Sequence, residues 1–203
     1  NDFNYGASFN LSDYRSKMGY LGNLRKFSGN YITEEGSHYQ EWYLYKNKGI
    51  FLNDEALYDA NGKKVAVQGN EVAGCIQFED IDGDGKITAD KDRVYCGNSL
   101  PELQFGASFW ANYKGFDFNL SLQGVGHWLK YVSDIMVRPL EWGWRQVPEV
   151  LVNNHWSPYN TDEENAKMRF PMASWAHQGQ LYGSNDFWLY NAAYMRIKNI
   201  TLG

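Results

Sequence analysis

Hydrophobic and polar positions alternate along three stretches of the chain. In the first, Phe3, Tyr5, Ala7, Phe9 and Leu11 take one parity, and Asn4, Gly6, Ser8 and Asn10 take the other. In the second, Leu103, Phe105, Ala107, Phe109, Ala111 and Tyr113 alternate with Gln104, Gly106, Ser108, Trp110 and Asn112. In the third, Phe116, Phe118, Leu120 and Leu122 alternate with Asp117, Asn119, Ser121 and Gln123. Successive side chains of a β-strand point to opposite faces, so a period of two predicts strands. Lys114-Gly115 separates the second and third stretches. Two residues of that kind make a tight hairpin turn, with Gly free to take positive φ.

The two strands of this hairpin, 103–113 and 116–126, are each 11 residues long. Strands of water-soluble proteins average about 5–6 residues, whereas membrane-spanning strands need about 9–11. One face is aromatic and aliphatic; the other is small, polar and almost uncharged. A barrel wall between lipid and a wet lumen has that character. A β-sandwich with one buried face alternates in the same way. Strand length and the short turn favour the barrel. From 127 to 184 no clean alternation appears, and Trp, Asn, Gly and Pro are frequent. A loop of that length is usually functional. Within it, Val147 to Val152 predicts a short helix with Pro148 in its first turn. Strand character returns from Asp186 to Leu202, and Arg196 to Gly203 reads as a strand still in progress. That suggests a piece of a longer chain.

Composition narrows the picture. Aromatics make up 17% of the 203 residues, which argues against disorder. No apolar run reaches the roughly 18 residues of a membrane-spanning helix. The net charge of -5 without a basic stripe argues against nucleic-acid binding. Two cysteines are too few for a disulfide scaffold, and no signal peptide is visible.

The sharpest motif runs from Glu79 to Asp92. Asp80, Asp82 and Asp84 match positions 1, 3 and 5 of a calcium loop, Gly85 its turn at position 6, and Lys86 its backbone carbonyl at position 7. Alternating carboxylates suit the oxygen shell of Ca2+. Position 12 is Lys91 rather than Glu, with Asp90 and Asp92 on either side as substitutes, and the preceding residues read as strand. The alternative is an Asp/Gly-rich turn held by side-chain to backbone hydrogen bonds. Any calcium here is structural, since nothing catalytic stands beside it. Cys75 and Cys96 bracket the loop. A disulfide between them would contribute about 3 kcal/mol; two buried thiols are the other reading.

No catalytic constellation emerges. Glu141, Glu149, Asp162, Glu163 and Glu164 lie in loop-like contexts, and His38, His127, His155 and His177 show neither a close pair nor H-E-x-x-H spacing. The sequence predicts a protein that is not an enzyme and needs no organic cofactor.

With these residues placed, the chain resembles the SusC/RagA family of TonB-dependent outer-membrane transporters of Bacteroidetes. The resemblance rests on Glu35-Gly36, Tyr43-Leu44-Tyr45 and Gly49-Ile50-Phe51; on the block from Asp80 to Gly97; on Pro101 and the hairpin ending in Gly124; on Trp156-Ser157-Pro158-Tyr159-Asn160 and Arg169-Phe170-Pro171; and on Asn185 to Leu189 and Tyr194 to Gly203. Each is soft alone; their shared order and spacing are specific. Cys75, where the family usually has an acidic or small residue, and an acidic block about one residue longer than usual depart from it.

The resemblance implies an all-β fold, a fragment of a large antiparallel transmembrane barrel of about 22 strands with long extracellular loops. Residues 1–203 would be a portion of its C-terminal half, with external loops at 74–97 and 127–184. It implies import of large nutrients, oligosaccharides or peptides, powered through TonB and covered by a SusD-like surface lipoprotein, in a dimer of transporter–lipoprotein pairs. The surroundings would be outer-membrane lipid, with no nucleic acid involved. Trp142, Trp144, Trp156 and Trp175 become candidates for contact with substrate or partner, the alternative being ordinary loop packing or an interfacial aromatic belt. The competing expectation is a secreted, calcium-stabilised β-sandwich that binds carbohydrate.

Overall fold

A computed structural model describes residues 2–65, 67–132 and 147–203. In chain order the strands are β1 (Phe3–Asp13), β2 (Arg25–Ser28), β3 (Tyr31–Glu34), β4 (Glu41–Tyr45), β5 (Asn47–Ile50), β6 (Ile76–Phe78), β7 (Arg93–Asn98), β8 (Leu103–Tyr113), β9 (Phe116–Gly126), β10 (Leu129–Tyr131), β11 (Leu189–Asn191) and β12 (Tyr194–Leu202). Two short helices, α1 (Asp162–Asn165) and α2 (Gln178–Tyr182), lie between β10 and β11. The fold is all-β and its strand ladders are antiparallel. The chain forms two compact units. Unit 1 is Asn1–Trp42, Gly97–Lys130 and Tyr190–Gly203; unit 2 is Tyr43–Cys96 and Tyr131–Leu189.

Unit 1 is built on a four-stranded sheet in the order β1-β8-β9-β12. Its register brings all the alternating apolar residues to one face. One cross-sheet row is Ala7, Phe109, Leu120 and Ile200; the row beside it is Tyr5, Ala111, Phe118 and Leu202. Next to the Lys114-Gly115 turn, Phe3 stacks on Tyr5 with ring centroids 5.5 Å apart and meets Tyr113 edge-on at 6.0 Å. Phe9, Leu11, Phe116, Ile197 and Ile200 stand exposed on this face. An 11-residue strand is about 35 Å long and, tilted by about 45°, crosses about 25 Å of hydrocarbon.

Three local features keep this sheet in register. The first is a bulge in β12 between Ile197 and Asn199. Ile197 has the wrong parity to share a face with Ile200 and Leu202 in an unbroken strand. The extra residue, Lys198, corrects the parity. The other two are close approaches over glycine. A Cβ on Gly124 would stand 2.0 Å from Phe105 Cζ, and one on Gly6 would stand 2.5 Å from Trp110 Nε1. Gly124 thus gives the Phe105 ring its seat on the apolar face. Gly6 does the same for Trp110, the one large aromatic on the polar face of β8. Elsewhere in unit 1, β2 and β3 form a hairpin closed by Arg25 on Glu34 at 2.9 Å. Tyr31 stacks on Trp42, whose indole N–H donates to Leu129 O at 3.2 Å.

Unit 2 has a conventional core of Phe51, Leu57, Cys75, Ile76, Phe78, Leu151, Phe170, Leu181, Tyr182 and Trp188. Trp188 donates its indole N–H to Leu181 O at 2.7 Å. Gln68 completes the short β6 ladder with its side chain: its amide donates to Ile76 O at 2.9 Å and accepts from Phe78 N at 2.6 Å. The helix expected after Pro148 is a single tight turn over Glu149–Leu151, and Val152 is already extended. Burial of Leu151 in the core holds that turn, since three residues cannot sustain a helix alone.

Replacing Gly124 by Val tests the close approach. It should cost about 1–3 kcal/mol of folding stability, because the Phe105 ring must leave its place. Gly19→Ala, where a Cβ meets nothing within 4 Å, should stay within about 0.5 kcal/mol. Denaturant midpoints measure both; equal values would mean that Phe105 moves aside freely.

Candidate functional site

The acidic loop lies in unit 2, and its carboxylates are used mainly inward. Asp80 Oδ1 accepts from Gly83 N at 2.8 Å and its Oδ2 from Gly85 N at 2.7 Å. Asp82 Oδ1 accepts from Asp84 N at 3.2 Å, and Asp84 Oδ1 from Lys86 N at 2.8 Å. These side-chain turns need the positive φ of Gly83 and Gly85, 74° and 84°. Lys86 itself forms a parallel bridge with Val67.

Asp80, Asp82 and Asp84 bring one oxygen each to within 4.8 Å of one another. The cation beside them is Lys91, whose ammonium lies 2.8 Å from Asp82 Oδ2 and 2.7 Å from Asp84 Oδ2. These bonds to Lys91, helped by backbone N–H donors, hold both carboxyls below the usual carboxylate range. The same two bonds raise the Lys91 ammonium. Asp92 has a different part from the one its spacing suggests. It is fully buried, accepting from Ile81 N at 2.9 Å and Thr88 N at 2.6 Å, so its oxygens are committed to the backbone. Asp90 is exposed and outside the three-carboxylate group.

The cysteines form no disulfide with each other. Cys75 is sealed in the unit 2 core, where burial pushes its thiol up. Cys96 lies in β7 with its Sγ 3.4 Å from Val94 O.

Of the four tryptophans singled out above, Trp142 and Trp144 lie outside the described residues, as does Glu141. Trp156 is a packing residue. It is buried, donates its indole N–H to Leu52 O at 2.8 Å, and covers Gly74, where a Cβ would stand 2.4 Å from its ring. Trp175 is 57% exposed, and Tyr159, in the loop after Trp156, is 94% exposed. A cleft of about 500 Å3 in unit 2 runs along this loop, with His155, Tyr159 and Met172 among its walls.

Two of the acids considered for catalysis, Asp162 and Glu164, have structural partners. Thr161 and Glu164 form a reciprocal cap on α1, and Asp162 accepts from Asn53 Nδ2 at 2.7 Å. His155 and His177 donate from Nδ1 to Leu151 O and Asn70 O, at 2.7 and 2.6 Å. His38 and His127 of unit 1 flank Glu102 at 4.0 and 3.9 Å. Spacing in the sequence did not reveal this grouping, because 64 positions separate His38 from Glu102.

Comparison with known proteins agrees with this architecture. Over 147 residues, taking in 58% of this chain, it is 31% identical to a TonB-dependent receptor of Formosa agariphila. The chain is thus similar in sequence to part of a TonB-dependent receptor. It spans 14% of that receptor's length. Two solved structures share its fold over 99% of its residues at 20% identity: the RagAB peptide importer in its closed-closed state, with a TM-score of 0.61, and the RagAB peptide transporter, with 0.62. In each, the match takes in 20% of the neighbour's chain. No family model matches. The matched proteins are a receptor and transporters.

Two predictions follow from the acidic loop. Asp92→Asn puts an N–H2 where a backbone donor now points, and should cost about 1–3 kcal/mol by denaturant midpoint; a neutral result would mean that the loop relaxes around it. The second concerns pH. Asp82 and Asp84 have folded values below their unfolded ones. Their contribution is therefore full above the unfolded value of about 3.9. It is lost as pH falls through the depressed folded values. Hydrogen-exchange protection of residues 80–92, corrected for intrinsic rates, should hold from neutrality to about pH 4 and collapse below. Collapse between pH 7 and 5 would contradict the Lys91 pairing.

Proposed function

We propose that this chain is part of a barrel in the outer membrane that imports a large nutrient, an oligosaccharide or a peptide, by a TonB-driven mechanism. The observation that carries the reading is the single apolar face of β1, β8, β9 and β12. Its strands are long enough to cross the hydrocarbon, and aromatics gather at the turn end as they do at membrane interfaces. β1 and β12 are edge strands in the described residues, which suits a wall that continues on both sides. The whole would be a barrel of about 22 strands. Loops of unit 2 would face water, where Tyr159 and Trp175 offer exposed rings to a substrate or to a SusD-like lipoprotein lid, in a dimer of such pairs. Similarity to a peptide importer favours a lidded importer without deciding the cargo, because selectivity resides in the site rather than the fold.

Leu120 and Ser121 are neighbours on opposite faces of β9, which makes the reading testable. In lipid vesicles, Leu120→Arg should lower the folding stability of the full-length protein by about 2–4 kcal/mol, with Ser121→Arg nearly neutral. Disruption of TonB should abolish uptake by cells while leaving the protein in the outer-membrane fraction. A full-length chain that folds in water without detergent rejects the barrel and leaves the calcium-stabilised β-sandwich.

For the acidic loop, the proposal is a structural site in which Ca2+ competes with the Lys91 ammonium. Convergence of Asp80, Asp82 and Asp84 supports it. Lys91→Gln should raise calcium affinity at least about tenfold in a direct titration, since it removes the competing charge. Equal and negligible binding by both proteins rejects the metal.

A further inference from the structure

Unit 1 contains a cleft of about 490 Å3 that holds the Glu102 carboxylate and is lined by no lysine or arginine. Its apolar walls are Leu103, Trp128 and Leu129, and Asn98 and His127 add polar edges. The β8–β9 hairpin builds it. Leu103 pairs with Gly126 at the end of the ladder away from the Lys114-Gly115 turn. Glu102 and His127, one residue beyond on each strand, therefore stand side by side, and Glu102 N donates to His127 O at 3.4 Å. His127 leaves the strand at φ 48°, in the left-handed region, where a residue with a Cβ is kept only by its surroundings. The Trp128 wall is fixed by its indole N–H, which donates to Ser99 O at 2.9 Å.

Around this carboxylate acceptors outnumber donors. Glu102 is largely buried, with 16% of its side chain exposed. Its Oε1 accepts from the Asn98 amide. His38 Nδ1 lies 4.0 Å from Oε1 and His127 Nδ1 3.9 Å from Oε2, both beyond hydrogen-bond length. Among the described residues these imidazoles, which lack the fixed charge of a lysine or arginine, are the basic groups within ion-pair range of Glu102. Asn98 Oδ1 and His38 Nδ1 are buried without a hydrogen-bond partner, and buried polar atoms left so are costly. A second carboxylate, Glu41, accepts from His38 N at 2.8 Å. Lys130 rests its ammonium over the Trp128 ring, 5.3 Å from the centroid, rather than on Glu102. The spacing of these atoms selects among cations. A transition metal at about 2.1 Å from tetrahedral ligands needs them about 3.4 Å apart. An ammonium, with acceptors at about 2.8 Å, suits a spacing of about 4.6 Å. The observed 4.0 and 3.9 Å, to opposite oxygens, exceed the metal's reach.

We propose that this cleft binds the protonated amino group of a small organic ligand, with Glu102 as its counter-charge and Leu103, Trp128 and Leu129 against its body. The volume lies in the range of small-molecule sites, and an aromatic wall beside a carboxylate suits an ammonium. The shared chemistry has two sources, the amino group of an amino acid or peptide and that of an amino sugar. The inference does not rest on the import reading, because binding is measured on purified protein without transport.

Calorimetric titration of the full-length protein at neutral pH tests it with leucinamide, N-acetylleucinamide, glucosamine, N-acetylglucosamine and zinc chloride. At least one amine should bind about tenfold or more tightly than its acetylated counterpart, and weaken as salt is added. Binding of leucinamide alone assigns the amino-acid source; binding of glucosamine alone assigns the sugar. Glu102→Gln keeps an oxygen for the Asn98 amide and should weaken amine binding by about tenfold or more. Lys130→Gln removes a cation beside the Trp128 wall and should leave the affinity unchanged or raise it, which separates lost counter-charge from a damaged fold. Equal affinity for amines and their acetylated forms, no binding of either amine, unchanged affinity in Glu102→Gln, or equal losses in both variants overturns the inference. Binding of zinc without binding of amines also overturns it and assigns the histidines to a metal.

Discussion

Everything in unit 1 depends on parity. A strand's side chains alternate with a period of two, so a slip of one residue would turn an apolar face of 11-residue strands into a polar one. The β8–β9 ladder fixes that parity at one end through the two-residue Lys114-Gly115 turn. Along its length, Phe105 lies in the space left by Gly124. A register shift would drive that ring against a residue with a Cβ. The glycine is thus a steric lock as well as a weak strand former, and its cost in β-propensity is met by the neighbour it admits. The bulge at Lys198 belongs to the same logic, carrying the apolar face through a strand whose raw sequence would break it.

Unit 2 solves a different problem. It has short strands, so its polar backbone must be satisfied by side chains. Gln68 stands in for a strand beside β6, Asn185 caps the turn at Phe187, and Asp92 gathers the amides of Ile81 and Thr88. Buried polar groups of this kind are stable only when their partners are present. The Asp/Gly composition of the acidic loop then has a structural meaning before any metal is considered. Its carboxylates replace the ladder that the chain does not form there, and Lys91 offsets the repulsion between two of them.

This difference governs what could be read from the sequence. The β8–β9 hairpin was legible to the residue and β1 to within two residues of its end, because periodicity is a local property and long strands repeat it many times. The bulge in β12 was not, since Ile197 and Ile200 are placed by their partners on β9. In unit 2, the loop residues were visible as a motif but their roles were not. Asp92 and Lys91 looked like a ligand and a defect; burial makes the first a backbone acceptor, and distance makes the second the counter-ion. For Trp156 the sequence left contact and packing both open, and its fit over Gly74 shows it to be a packing residue. The grouping of His38, Glu102 and His127 has no short-range signal.

The two kinds of order also bear on where function can reside. A sheet whose apolar face is fixed by parity tolerates little chemical variation, so it serves as wall rather than as site. In unit 2, the carboxylates are mostly consumed by their own loops, and a group already satisfied by the backbone has little left to offer a ligand. The side chains able to recognise something are those the folding problem left over, among them the exposed rings of Tyr159 and Trp175. Subtracting satisfied groups from the inventory of side chains therefore moves attention from the conspicuous acidic motif to these rings.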